Sequence, residues 1–211
     1  DDGVGTVLDK LKQLNLTENT IVIFLSDNGG PEADNGSDNG PLRAGKGSLF
    51  EGGIRVPFAM QWPGQIKANT KYEQPVISLD IFATIAANIG KAASPKNELD
   101  GVNLLPYLKA AKQGSPHEYL FWRHFDQKNY AVLHQSGFKE VILRDSSLTL
   151  YNLKEDIEEK TKVDDAKMMS IFEQQRKKWE ANTVAPLFYG LNQEEQYERE
   201  KKAQQKEEQS V

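Results

Sequence analysis

Thr20 to Gly30 reads TIVIFLSDNGG, and after a short interval Gly45 to Pro57 reads GKGSLFEGGIRVP. The first stretch is a continuous β-branched and apolar run that ends in an acid–amide pair, Asp27 and Asn28. A run without polar alternation predicts a strand covered on both faces, as in the parallel sheet of an α/β fold. Ligands collect at the carboxyl ends of such strands. An acidic and a neutral oxygen donor side by side suit a hard cation there. In the second stretch one lysine, Lys46, stands between Gly45 and Gly47, where the absence of side chains lets it approach an anion closely. Cation and lysine together describe a site for an oxyanion held by both.

Elements on either side agree with an α/β unit. Val4, Val7, Leu8, Leu11 and Leu14 fall at helical spacing and predict an amphipathic helix ending near Asn15. Helix, short loop and apolar strand make half of a β-α-β unit, whose first strand is expected before Asp1. Residues 31–43, rich in Gly, Asn, Asp and Pro, predict an irregular loop. Pro57 to Trp62 predicts a second core strand, closed by a Pro63-Gly64 turn. Ser78 is placed to cap a helix with Phe82, Ile85, Ala86 and Ile89 on its core face and Gly90 as its stop. Asp100 to Lys109 holds a shorter helical piece.

Beyond Pro116 the pattern changes. Segments 118–125, 130–135, 138–145 and 148–153 are short, aromatic or β-branched, and separated by turn residues such as Ser136-Gly137 and Asp145-Ser146-Ser147. This spacing predicts an antiparallel meander. Asp164 to Asn182 then carries Met168, Ile171, Phe172 and Trp179 on one helical face, suited to packing on that sheet. From Gln193 the chain is charged and Gln-rich, a solvated helix or frayed tail.

Taken together, SDNGG and LRAGKGSLFEGGIRVPF resemble the second half of a formylglycine-dependent sulfatase of the arylsulfatase type, in the alkaline-phosphatase-like superfamily. The likeness runs from Asp1 to about Trp179. Ser78 to Gly90 is similar to the family's S-x-D-ϕ-ϕ-x-T-ϕ helix, and Asp100 to Pro106 to its D-G-V-S-L-L-P turn. Leu120 to His124, Tyr130 to Val132, Gly137 to Lys139 and Leu150 to Leu153 follow the order of its C-terminal strands. Asp156-Ile157-Glu158-Glu159 departs from the family's Asp-Pro-x-Glu turn. The implied fold is the C-terminal part of the α/β sulfatase domain over residues 1–115. A small antiparallel sheet with a packed helix is expected over 116–185, and a charged tail over 186–211.

The resemblance implies roles residue by residue. Asp27 and Asn28 become metal ligands for calcium, or magnesium, with the remaining carboxylates expected upstream of Asp1. Asp1 and Asp2 themselves read as helix-start acids, not as that pair. Lys46 becomes the catalytic, sulfate-binding lysine that neutralises charge as the S–O bond breaks. Glu51 and Arg55 read as an ion pair supporting the loop, and His124 as a substrate contact at the pocket mouth. His117 and His134 carry no support beyond their type.

The family's nucleophile is a formylglycine made in a C/S-x-P-x-R motif. The chain contains no cysteine, and Ser94-Pro95-Lys96 and Ser115-Pro116-His117 lack the spacing and the arginine. The formylglycine is therefore expected in a missing N-terminal part, and this chain alone is expected to be inactive. The implied reaction is hydrolysis of a sulfate ester, on a sulfated small molecule or sulfated glycan. A phosphate-ester hydrolase of the same superfamily and a noncatalytic glycan-binding remnant are the alternatives. A net charge of -5, with no basic stripe interleaved with aromatics, gives no footing for nucleic acid. No apolar run is long enough for a membrane span. Zero cysteines accord with the periplasmic or extracellular location that the family suggests, and no feature fixes an oligomeric state.

Overall fold

A computed structural model describes residues 1–89, 98–124, 128–144 and 148–184, with Ala33 described by its backbone alone. The chain divides into two compact units. The first comprises Asp1–Leu120 with His134–Gly137, and the second Phe121–Leu133 with the residues from Phe138 onward.

In the first unit, helix α1 (Asp2–Gln13) carries Asp2 in its first turn and Lys10 and Lys12 in its last, charges that complement the helix dipole. It stops where Asn15 enters the left-handed region at φ 55°. A 3₁₀ turn (Thr17–Asn19) leads into strand β1 (Val22–Leu25). Short helices α2 (Glu32–Asn35) and α3 (Glu51–Ile54) follow, then strand β2 (Phe58–Gln61). Strand β1 pairs with β2 in antiparallel register, Val22 opposite Gln61 and Leu25 opposite Phe58.

Among the described residues β1 pairs only with β2, in a direction the apolar run did not announce; its parallel neighbour is expected before Asp1. An apolar run records burial tendency and not strand direction. Direction is set here by the intervening loop, which closes on itself through Ser26 N–H to Pro57 O at 3.3 Å and Gly29 N–H to Gly53 O at 3.0 Å. The chain must therefore return antiparallel. Phe24 and Leu25 are 53% and 37% exposed, so the described residues do not cover the strand on both faces.

Helix α4 (Leu79–Asn88) forms where predicted; of its expected core face the described residues bury Ala86 but not Phe82, Ile85 or Ile89. Phe82 and Ile89 are 65% and 68% exposed and Ile85 is also exposed, while Asp80, Ala83, Thr84 and Ala86 are buried. Polar side chains direct this choice. Asp80 accepts from Ile77 N–H at 2.9 Å and Val102 N–H at 2.8 Å, and the Thr84 hydroxyl accepts from Leu104 N–H at 2.9 Å. The segment from Gly101 to helix α5 (Leu105–Leu108) is thereby stitched to α4. A Cβ on Gly101 would stand 2.1 Å from Leu79 O, which is why a glycine occupies that crossing. Ser78 sits at the N-cap without a side-chain capping bond, and Asp80 takes the Ile77 donor instead. The expected stop at Gly90 lies outside the described residues.

The meander is as predicted. Strands β3 (Tyr119–His124), β4 (Asn129–His134), β5 (Phe138–Ile142) and β6 (Thr149–Asn152) form a sheet in sequential order. Register is antiparallel, with Ala131 opposite Val141 and Lys139 opposite Tyr151. Gly137, at φ 95°, makes the β4–β5 turn. In the second unit Ala131, Val132, Val141, Leu150, Tyr151 and Phe172 are buried. Helix α6 (Ala166–Ala181) is capped by the Asp165 carboxylate, which accepts from Met168 N–H at 2.9 Å. Phe172 is its buried anchor, and Trp179 stacks on Phe121 with ring centroids 5.1 Å apart. Ile171, expected on the packed face, is instead 39% exposed. The 145–147 turn and the charged tail lie outside the described residues. No described helix is long and apolar enough to cross a membrane.

Candidate functional site

The loops after β1 and before β2 are built backbone against backbone, and glycine makes this possible. A Cβ on Gly29 would fall 1.6 Å from Gly52 O, and one on Gly52 1.9 Å from Ala44 O. One on Gly53 would meet Ser48 O at 2.1 Å, and one on Gly45 would meet Gly30 O at 2.3 Å. No larger residue fits at these four positions without moving main chain. Hydrogen bonds run through the gaps so created: Gly52 N–H donates to Arg43 O at 2.8 Å, and Lys46 N–H donates to Gly30 O at 3.3 Å.

This interlock carries the chemistry-bearing residues. Asp27 and Asn28 follow β1 directly, and Asp27 is exposed to solvent. One Asp27 carboxylate oxygen accepts from Asn28 N–H at 2.9 Å, and the Ser26 hydroxyl donates to Asn28 O at 2.7 Å. Asn28 Nδ2 donates to Gly29 O at 2.8 Å, and the carboxamide oxygen is the group's acceptor. Lys46, also exposed, is joined to this turn through its own main-chain bond to Gly30. Two of the predicted elements, oxygen donors and lysine, are therefore brought together by the backbone. Among the described residues no group of three or more His, Cys, Asp or Glu could hold a metal ion. The donors at hand are hard oxygens of the kind calcium or magnesium takes, and they supply only part of a 6–8-oxygen shell.

Glu51 and Arg55 form the expected ion pair, 3.3 Å apart, with Glu51 buried and Arg55 largely exposed. Arg43 lies over the Phe50 ring, 3.8 Å from its centroid, which ties the start of the lysine loop to the core residue before α3. His124 ends β3 in the second unit. Its Nδ1 is buried and meets no hydrogen-bond partner among the described residues.

Three features escaped the sequence reading. His117 Nε2 lies 2.8 and 3.0 Å from the two oxygens of fully buried Asp80, completing the junction of α4 with the segment around Val102. Asn39 spans two loops with its carboxamide. Lys139 and Glu140, adjacent on β5, are both fully buried, paired with Glu159 at 2.9 Å and with Arg176 of α6 at 2.9 Å. Adjacent strand residues point to opposite faces, so one ion pair sits on each side of β5. A cleft of about 490 Å³ lined by Leu8, Leu11, Lys12, Asn15, Thr17 and Glu18 contains none of Asp27, Asn28 or Lys46.

Residues 1–91 match the Sulfatase family. Steryl-sulfatase of Rattus norvegicus is 40% identical over 128 residues, 57% of this chain and 22% of that protein. A sulfatase of Formosa agariphila is 33% identical over 191 residues, 76% of this chain and 33% of that protein. Among solved structures, Ps i-CgsB in complex with k-i-k-neocarrahexaose superimposes with a TM-score of 0.81 at 31% identity, covering 92% of this chain and 43% of that one. The chain thus spans a fifth to a third of these curated relatives and less than half of the solved chain.

Proposed function

Because the chain belongs to the sulfatase family, with the α/β fold of the alkaline-phosphatase-like superfamily, we propose that it supplies one side of the active site of a sulfuric ester hydrolase. The observation that carries this reading is the glycine interlock, which joins the Asp27–Asn28 oxygen pair to the Lys46 turn by main-chain contact.

In this reading Asp27 and Asn28 hold a calcium or magnesium ion as two of its oxygen ligands. When bound, that cation withdraws charge from sulfate oxygens. Lys46 binds an adjacent sulfate oxygen and stabilises the negative charge that grows as the S–O bond to the alcohol breaks. Glu51, buried and paired with Arg55, keeps the loop carrying Lys46 in register. The nucleophile belongs to a part of the enzyme outside these residues, in the family a formylglycine. The substrate class is a sulfated small molecule or sulfated glycan; Ps i-CgsB, solved in complex with k-i-k-neocarrahexaose, supports the glycan choice.

The test uses the full-length enzyme. Lys46→Ala is expected to lower kcat by about 10²–10³-fold, the usual loss of one charge-stabilising donor, with metal content and melting temperature unchanged. Asp27→Ala is expected to lose both metal and turnover. Near-wild-type turnover in Lys46→Ala would remove the lysine from the mechanism, and full activity in both variants would remove the site.

A further inference from the structure

Between the oxygen-donor turn and the lysine turn stands one side chain that touches both. Asn39 Oδ1 accepts from Gly30 N–H at 2.8 Å, and Asn39 Nδ2 donates to Gly30 O at 2.8 Å. The same Nδ2 donates to Ala44 O at 3.3 Å. Gly30 O in turn accepts from Lys46 N–H at 3.3 Å. A single carboxamide therefore grips Gly30 on both its peptide groups, as a neighbouring strand would, and reaches across to the start of the lysine turn.

We propose that Asn39 is a positioning residue for sulfate-ester cleavage, fixing the Lys46 turn against the Asp27–Gly30 turn. The inference rests on the functional reading above and goes beyond it, since Asn39 touches neither metal nor substrate. Only a side chain that both donates and accepts within one plane can make this pattern. The fit is close against Gly30 and Gly45. A Cβ on Gly45 would lie 2.7 Å from Asn39 Nδ2, and one on Gly30 would lie 3.3 Å from Asn39 Oδ1. Asn39 is itself anchored from behind, its main-chain N–H donating to Glu32 Oε1 of α2 at 2.8 Å. Among the described residues the exposed Lys46 side chain makes no such bond, so its reach toward an anion is set by where its backbone is held.

Asn39→Asp is the discriminating change. It keeps the acceptor for Gly30 N–H, removes the donor, and sets a negative charge against the carbonyls of Gly30 and Ala44. In the full-length enzyme kcat should fall about 10–10²-fold, the scale of a small misplacement near the reacting atoms, with bound metal and KM little changed. The decisive readout is a double-mutant cycle with Lys46→Ala. If Asn39 acts through Lys46, adding Asn39→Asp to Lys46→Ala costs no more than roughly 2-fold further. If Asn39→Asp fails to fold, Asn39→Ser, too short to reach both carbonyls, takes its place in the cycle. Multiplicative losses alongside a crippled Lys46→Ala would overturn the positioning role alone. Full turnover in Lys46→Ala would overturn the functional reading together with it.

Discussion

Glycine does two unlike things in this chain, and both can be tested by adding one methyl group. Gly52 stands where a Cβ would be 1.9 Å from Ala44 O, whereas Gly5, inside α1, has nothing within 4 Å of its Cβ position. Gly52→Ala should force main-chain movement in both site loops, lowering the melting temperature and abolishing turnover of the full-length enzyme. Gly5→Ala should raise stability by about 0.5–1 kcal/mol in thermal or denaturant unfolding, since glycine is a poor helix former. Equal effects from the two changes would refute the interlock. The sequence made Lys46, Asp27 and Asn28 legible as candidates through residue type and neighbours. It could not show why Gly29-Gly30 and Gly52-Gly53 recur as pairs, because that depends on which two loops meet. Asn39 escaped for the same reason: one Asn among several in a polar loop has no mark until its two partners are in place.

At the scale of elements, the antiparallel meander and α6 were legible because period-2 patterning and turn residues are local signals. The buried face of α4 was not. Hydrophobic spacing pointed to Phe82, Ile85 and Ile89, but Asp80 and Thr84 satisfy backbone donors of the segment around Val102, and those bonds decide the orientation. Strand β5 posed a similar problem, for nothing in the residue types of Lys139 and Glu140 marks them as buried until Glu159 and Arg176 are seen beside them. Burial pushes Glu140 up to about 7 from the ordinary 4.5, Arg176 opposing the rise and Glu173 adding to it. A carboxyl group whose folded-state value is raised binds its proton more tightly folded than unfolded, so stability declines as pH climbs between the two values. Unfolding free energy of the second unit should fall by about 3 kcal/mol from pH 4.5 to pH 7, counting this group alone, and flatten above. Glu140→Gln, neutral throughout, should remove that dependence in urea titrations across this range. An unchanged slope would show that Glu140 is not the group responsible.

The whole molecule holds two units and, in the reading above, one side of an active site. Asp27 and Asn28 offer about two of the 6–8 oxygens calcium prefers, so the 211-residue chain should bind calcium weakly. Micromolar affinity by calorimetry would contradict the ligand assignment. Incubated with an aryl sulfate and calcium, the same chain should release no phenol above buffer, and sustained turnover would place a nucleophile within these residues. Fold class was readable at this scale from helix, strand and loop order. Strand direction was not, because the return from β1 to β2 is dictated by contacts between Ser26 and Pro57 and between Gly29 and Gly53.

The glycine interlock also has a meaning for heredity. At the codons for Gly29, Gly45, Gly52 and Gly53 every missense change installs a Cβ where main chain already stands. No conservative allele exists at these positions, whereas an exposed lysine loop tolerates many changes without unfolding. Loss-of-function alleles of such a gene should therefore crowd onto residues that have no side chain to perform chemistry. A variant-effect map drawn only around Asp27, Asn28 and Lys46 would pass most of them by.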